Sequence, residues 1–169
     1  MAPTTAILLL CALLSRTDSS PKATNWLVEQ AAARRTQLTL QVTEVRATSV
    51  AVRLRNVTQA SVNLPEQSNS WGAACWRIVR IRNGQSFVGY QTLTHGFTVN
   101  VPTTHSLAPG ATCQQVLDLT KEEWKASGAN DLRIQRGDII VVTYDVPYSD
   151  ILVRANAWFG VVGGVATAP

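Results

Sequence analysis

Three cysteines and two histidines hold most of the reactive side chains in this 169-residue chain. Cys75 or Cys113 beside His95 or His105 would be the raw material of a cysteine nucleophile, because a neighbouring base activates a thiol. That chemistry needs an unpaired thiol. Cys11 lies in an apolar run at the N-terminus, and if the run is an export leader, Cys75 and Cys113 are left as a pair. In an oxidising compartment such a pair is expected to form a disulfide. It would close a loop of about 39 residues and stabilise the fold by about 4 kcal/mol in the chain-entropy picture. Two buried thiols are the alternative. No CxxC pair exists and neither histidine has ligand spacing around it, so no metal and no cofactor is expected. The chain also lacks a G-x-S-x-G elbow, an H-E-x-x-H helix and a phosphate loop, and the reading is therefore non-catalytic.

Recognition chemistry is better supplied. Trp71 stands between Ser70 and Gly72, a loop setting that leaves an indole partly wet, and aromatic residues are enriched at binding surfaces. Phe87 and Tyr90 belong to a second irregular stretch, Ser86 to Thr104, and join Trp71 as candidate partner-binding residues. Trp76, Trp124 and Trp158 read as packing residues. Arg53, Arg55, Arg77, Arg80 and Arg82 alternate with apolar residues and would form a solvated basic sheet face. Arg136-Gly137-Asp138 spells an integrin-recognition tripeptide, yet Gly-Asp is ordinary turn chemistry at the start of a strand. Asn56-Val57-Thr58 is the single glycosylation sequon and is expected at a hairpin tip, which makes Asn56 a possible glycan site.

The elements that must position these groups are short and extended. Leu38, Leu40 and Val42 alternate with polar residues, as do Val50, Val52 and Leu54, which is the period of half-buried strands. Val62 and Leu64 begin a return strand that Pro65 halts. Trp76 to Ile81 is a further strand, and Asn83-Gly84 is the strongest hairpin signal present. Pro109 and Gly110 suit the two central positions of a type II turn. Thr120 and Glu123 spell a capping box that predicts a helical turn or two around Trp124. Ile139 to Val146 is apolar on both faces and predicts a central strand, and Ala157 to Val162 predicts a closing one. Many short strands at this spacing predict an all-β, immunoglobulin-like antiparallel β-sandwich with one short helix, over residues 37–163. A lead-in (21–36) precedes it and a tail (164–169) follows.

Bulk composition agrees. Apolar residues make up 46% of the chain and charged residues 15%, far from a disordered composition. The net charge of +4 is spread thinly, so no nucleic-acid footprint is expected. Ala6 to Leu14 is too short to span a bilayer but has the length of a signal-peptide core, so residues 1–20 are expected to direct export. The location expected is secreted or periplasmic, without a membrane span.

The order of these signals is also informative. A strand ends in Arg55-Asn56-Val57-Thr58, a return strand reaches Leu64, and Trp76 to Ile81 leads to Asn83-Gly84. Leu107-Ala108-Pro109-Gly110 then feeds a strand, Gly137-Asp138 opens another, and Ala157-Trp158-Phe159-Gly160 closes the set. From Leu38 to Val162 this layout resembles the BsuPI-type proteinase-inhibitor domain. The resemblance implies an immunoglobulin-like sandwich and peptidase inhibition. The Cys75 and Cys113 pair and the longer Ser86 to Thr104 segment depart from that pattern, so no inhibitory loop carries over residue by residue. The function expected is a secreted, non-catalytic module that presents its end loops, Glu66 to Ala74 and Ser86 to Thr104, to a protein or other macromolecule. Proteinase inhibition is the alternative and an enzyme of unrecognised class the third.

Overall fold

The computed structural model describes residues 36–66, 70–91, 103–121, 124–127, 132–146 and 153–163. The expected leader, all but the last residue of the lead-in, and the tail lie outside the described residues. Period-two patterning becomes sheet as expected. β1 (Leu38–Arg46) and β2 (Ser49–Asn56) form a hairpin whose inward side chains Leu38, Leu40, Val50, Val52 and Leu54 are buried. β3 (Val62–Pro65) follows, then a four-residue helix, α1 (Ser70–Ala73). β4 (Trp76–Arg82) and β5 (Gln85–Gln91) form the second hairpin. Its turn has positive φ at both Asn83 (50°) and Gly84 (77°), the geometry that a two-residue hairpin of right-handed twist demands.

After β5 come β6 (Thr104–Leu107), β7 (Thr112–Asp118), β8 (Trp124–Ser127), β9 (Ile139–Val146), β10 (Val153–Arg154) and β11 (Trp158–Val161). The turn before β7 has the type II form: the Ala111 N–H donates to Ala108 O at 3.0 Å, and Gly110 has φ 74°. Three strands in the order β1-β2-β7 make one sheet, and β10-β9-β4-β5-β8 make the other. β11 lies on the β10 side of β9. β3 and β6 pair as a separate ribbon. All these pairings are antiparallel, and the molecule is an all-β sandwich with one short helix among the described residues.

The inner face of the larger sheet carries Trp76, Ile78, Ile140, Val142, Tyr144 and Trp158, which meet the inward residues of β1, β2 and β7 in one core. Trp76 and Tyr144 are direct cross-strand neighbours, edge to face with centroids 4.7 Å apart. The two sheets are laced along one side. Ala155 bridges to Leu38, the Gln37 N–H donates to Arg154 O at 3.1 Å, and the Leu40 N–H donates to Asn156 Oδ1 at 2.7 Å. Those contacts tie the first part of β1, up to Leu40, to the segment that follows β10.

Two expectations need correction. The capping box around Thr120 does not start a helix at Trp124. Asp118 Oδ1 accepts from both the N–H and the hydroxyl of Thr120, at 3.0 and 2.7 Å, so the would-be cap is already bound. Trp124 instead opens β8 opposite Gln91 and is buried in the core. Burying an indole beside β5 overrides the weak local helix signal. Nor does β3 return against β2. It turns away to pair with β6, and β2 takes β7 as its second neighbour.

Candidate binding rim

The register of the larger sheet brings several strand ends to one rim. Trp76 lies opposite Tyr144, Arg77 opposite Tyr90, Gln91 opposite Trp124, and Val146 opposite Val153. α1, which contains Trp71, precedes β4 at this rim and is tied on by the Cys75 N–H, which donates to Gly72 O at 3.3 Å. The Glu66 N–H donates to Thr103 O at 2.9 Å, so the chain also enters and leaves its 67–69 and 92–102 segments side by side. Those segments, like 147–152, lie outside the described residues, and with them most of the expected Ser86 to Thr104 loop. The opposite end carries tight turns, at Ala47–Thr48, Asn83–Gly84 and Arg136–Gly137.

Of the three candidate recognition residues, Trp71 is the second residue of α1 and Tyr90 lies on β5 at the rim. Phe87 does not join them. It is half-buried three residues before Tyr90, opposite Arg80, whose guanidinium sits 4.5 Å above its ring centroid. A cation held over an aromatic face in a partly dry setting is a packing device here.

The arginine face that the alternation implied is divided. Arg53 and Arg55 belong to the three-stranded sheet, and Arg77, Arg80 and Arg82 to the larger one. Arg80 is 4% exposed, on the same face of β4 as Trp76 and Ile78, and its Nη1 donates to Arg133 O at 2.7 Å. Arg82 grips Asp138 through two parallel bonds, Nε to Oδ1 at 2.7 Å and Nη2 to Oδ2 at 2.8 Å. The Gln135 N–H adds a third bond to Oδ2 at 2.7 Å. Burial alone would raise the Asp138 carboxyl. Hydrogen bonds from Arg82 and Gln135 and the positive charges of Arg82 and Arg80 outweigh it and hold the group below the usual carboxylate range. The Arg-Gly-Asp sequence is thus a turn, with φ 90° at Gly137 and its aspartate 1% exposed. An integrin metal site could not reach that carboxylate.

Asn56 is corrected as a glycan site. It is fully buried, and its Nδ2 donates to Ala60 O at 2.8 Å and Leu107 O at 2.9 Å. Its Oδ1 accepts from the Thr58 N–H at 2.9 Å and the Thr58 hydroxyl at 2.8 Å. Every hydrogen-bonding position of the carboxamide is used, and the nitrogen a sugar would need is spent locking β2 to the β6 end. Asn at a strand end does stabilise the turn, as the sequence implied, but from inside.

Cys75 and Cys113 are thiols in this structure rather than the expected disulfide. Both pack in the main core, one at the head of β4 and the other on β7 of the facing sheet. Burial pushes the Cys75 thiol up to about 12, against a hydrogen bond with Tyr144 that acts in the opposite direction. Burial also raises the Cys113 thiol. Thiols held protonated are slow partners in disulfide exchange. Burial also lifts the Tyr144 hydroxyl well above its ordinary range. His105 lies on β6, exposed, and His95 lies outside the described residues. Among the described residues no group of three or more His, Cys, Asp or Glu side chains could hold a metal ion. No helix among them is long and apolar enough to cross a membrane. The chain matches no family model, and no curated protein matches it in sequence.

Proposed function

We propose that this chain is a secreted, non-catalytic binding module that presents the α1 rim to a macromolecular partner. The observation that carries the reading is the asymmetry of the sandwich. Among the described residues one end carries tight turns, while the other gathers α1 and the ends of β5, β9 and β10. A scaffold of paired strands holds the segments at such a rim in place without making the core adapt to them. Trp71 and Tyr90 supply large amphipathic side chains of the type that dominate interface energetics. Export is supported by the Ala6 to Leu14 run.

The test is affinity capture of the full chain from its native extracellular surroundings, beside Trp71→Ala and Tyr90→Ala variants of confirmed fold. Loss of the captured species in either variant supports the rim. Identical capture by both variants removes the rim from the proposal. A panel of extracellular peptidases run in parallel, with stoichiometric loss of one activity, turns the reading to inhibition.

A further inference from the structure

β7 borders the three-stranded sheet with a row of backbone groups that no described strand uses. Its bonds to β2 are made by alternate residues, as antiparallel pairing requires. The Asn56 N–H donates to Ala111 O at one end, and the Leu119 N–H donates to Thr48 O at the other. Odd-numbered residues from 111 to 119 therefore face β2. Thr112, Gln114, Val116 and Asp118 turn their N–H and C=O groups away from it, and among the described residues these groups have no strand partner. Natural edges are usually blunted by Lys, Pro, a bulge or a covering segment. β7 has no Lys or Pro, and its register with β2 is unbroken. The side chains of Thr112, Gln114 and Val116 are exposed, Val116 at 63%, and Asp118 is half-buried.

We propose that two copies of this chain pair antiparallel through β7, about a twofold axis at Gln115, to form a continuous six-stranded sheet. A second copy is favoured over an unrelated strand by self-complementarity. With the axis at Gln115, residue 114 of one copy faces 116 of the other, and 112 faces 118. Both are outward-bonding positions, so all four residues of each edge exchange bonds. A twofold contact of this kind is closed and uses the one edge twice.

Three details of the single chain fit that axis. Gln115 Nε2 is buried with no hydrogen-bond partner among the described residues, an arrangement that native proteins seldom leave unresolved. In the pair, Gln115 meets its own copy, and a carboxamide both donates and accepts. Val116 is covered by Gln114 of the second copy on one side and has its own Ala51 on the other. Arg55, opposite Thr112 in its own sheet, lies on the same face as Asp118 of the second copy, with only the small Thr112 between them. The pairing so sets two opposite charges within reach of each other, twice, and sets no like charges directly opposite.

Sedimentation velocity on the full chain tests this, and a dissociation constant on the order of 10 µM is expected for so small a contact. Val116→Pro removes one outward N–H and no bond to β2, and it should raise the constant at least about tenfold while leaving the fold intact. Arg55→Glu should weaken pairing, and Arg55→Glu with Asp118→Arg should restore it; this second set keeps the proposal testable should the proline variant fail to fold. A monomer at about 200 µM, well above the expected constant, overturns the proposal. So do a dimer indifferent to Val116→Pro and the charge swap, and an open-ended series of larger species.

Discussion

Replacing Asp138 with alanine removes both bonds of the Arg82 fork and the bond from the Gln135 N–H. The carboxylate is almost completely buried; without it the Gln135 N–H loses its bond, while Arg82 Nη2 keeps one to Arg133 O at 3.0 Å. Stripping one member from a buried ion pair costs about 3–5 kcal/mol, chiefly by stranding the other charge. The Arg82 side chain is 28% exposed and recovers some hydration, which places the cost at the low end, about 3 kcal/mol. Against a total stability of about 5–15 kcal/mol this is a large loss, equivalent to roughly 10 °C of melting temperature for a domain of this size. Urea unfolding followed by tryptophan fluorescence measures it, because Trp76 and Trp158 are buried. The pH dependence supplies a second arm. A carboxyl whose folded value is depressed adds stability in full above its unfolded value, near pH 3.9, and loses it as pH falls through the folded value. The gap between wild type and Asp138→Ala should therefore be constant at neutral pH and shrink below about pH 4. A cost under about 0.5 kcal/mol at pH 7, or a gap that persists undiminished to about pH 2, would refute the reasoning.

Asn56→Ala should destabilise by about 2–4 kcal/mol, since it removes the acceptor of the Thr58 N–H and one hydrogen bond from each of the Ala60 and Leu107 carbonyls; intact mass after expression in a glycosylating host should show Asn56 unmodified. Gly160→Val should cost about 1–3 kcal/mol, because a Cβ at Gly160 would come 2.5 Å from the Trp158 ring, and the near-ultraviolet tryptophan bands should change with it. Asn83→Ala puts an ordinary side chain at φ 50° and should cost about 1 kcal/mol in the same unfolding assay. An aromatic disulfide reagent at pH 8 should label Cys75 only as fast as the protein unfolds, since the thiol is buried and pushed up to about 12; prompt labelling of the native chain would contradict that burial.

Much of the fold was legible because the signals that specify it are local. Leu38, Leu40 and Val42 declare a two-sided strand, and Ile139 to Val146 declares a strand buried on both faces. The candidate rim was legible only in outline. Trp71 lies in α1, and Phe87 and Tyr90 lie on β5 rather than in a loop; nothing in the neighbourhood of Phe87 reveals that Arg80 will face it across a hairpin. Trp124 was misread for the opposite reason. A capping box is a short-range signal, whereas β8 forms by pairing with Val88 to Gln91 of β5, more than thirty residues earlier.

The division follows the reach of the forces. Backbone sterics and side-chain period act over a few residues, so the strands, the Asn83-Gly84 hairpin and the Pro109-Gly110 turn were determined by the sequence alone. Burial of polar groups depends on partners that arrive from far along the chain. Asn56 is locked by Leu107, Arg80 by Arg133, and Leu40 by Asn156, across 51, 53 and 116 positions respectively. Read locally, Arg80 and Asn56 are surface residues. Only the packed sandwich turns them inward, because a polar group leaves water only where its hydrogen bonds are already waiting.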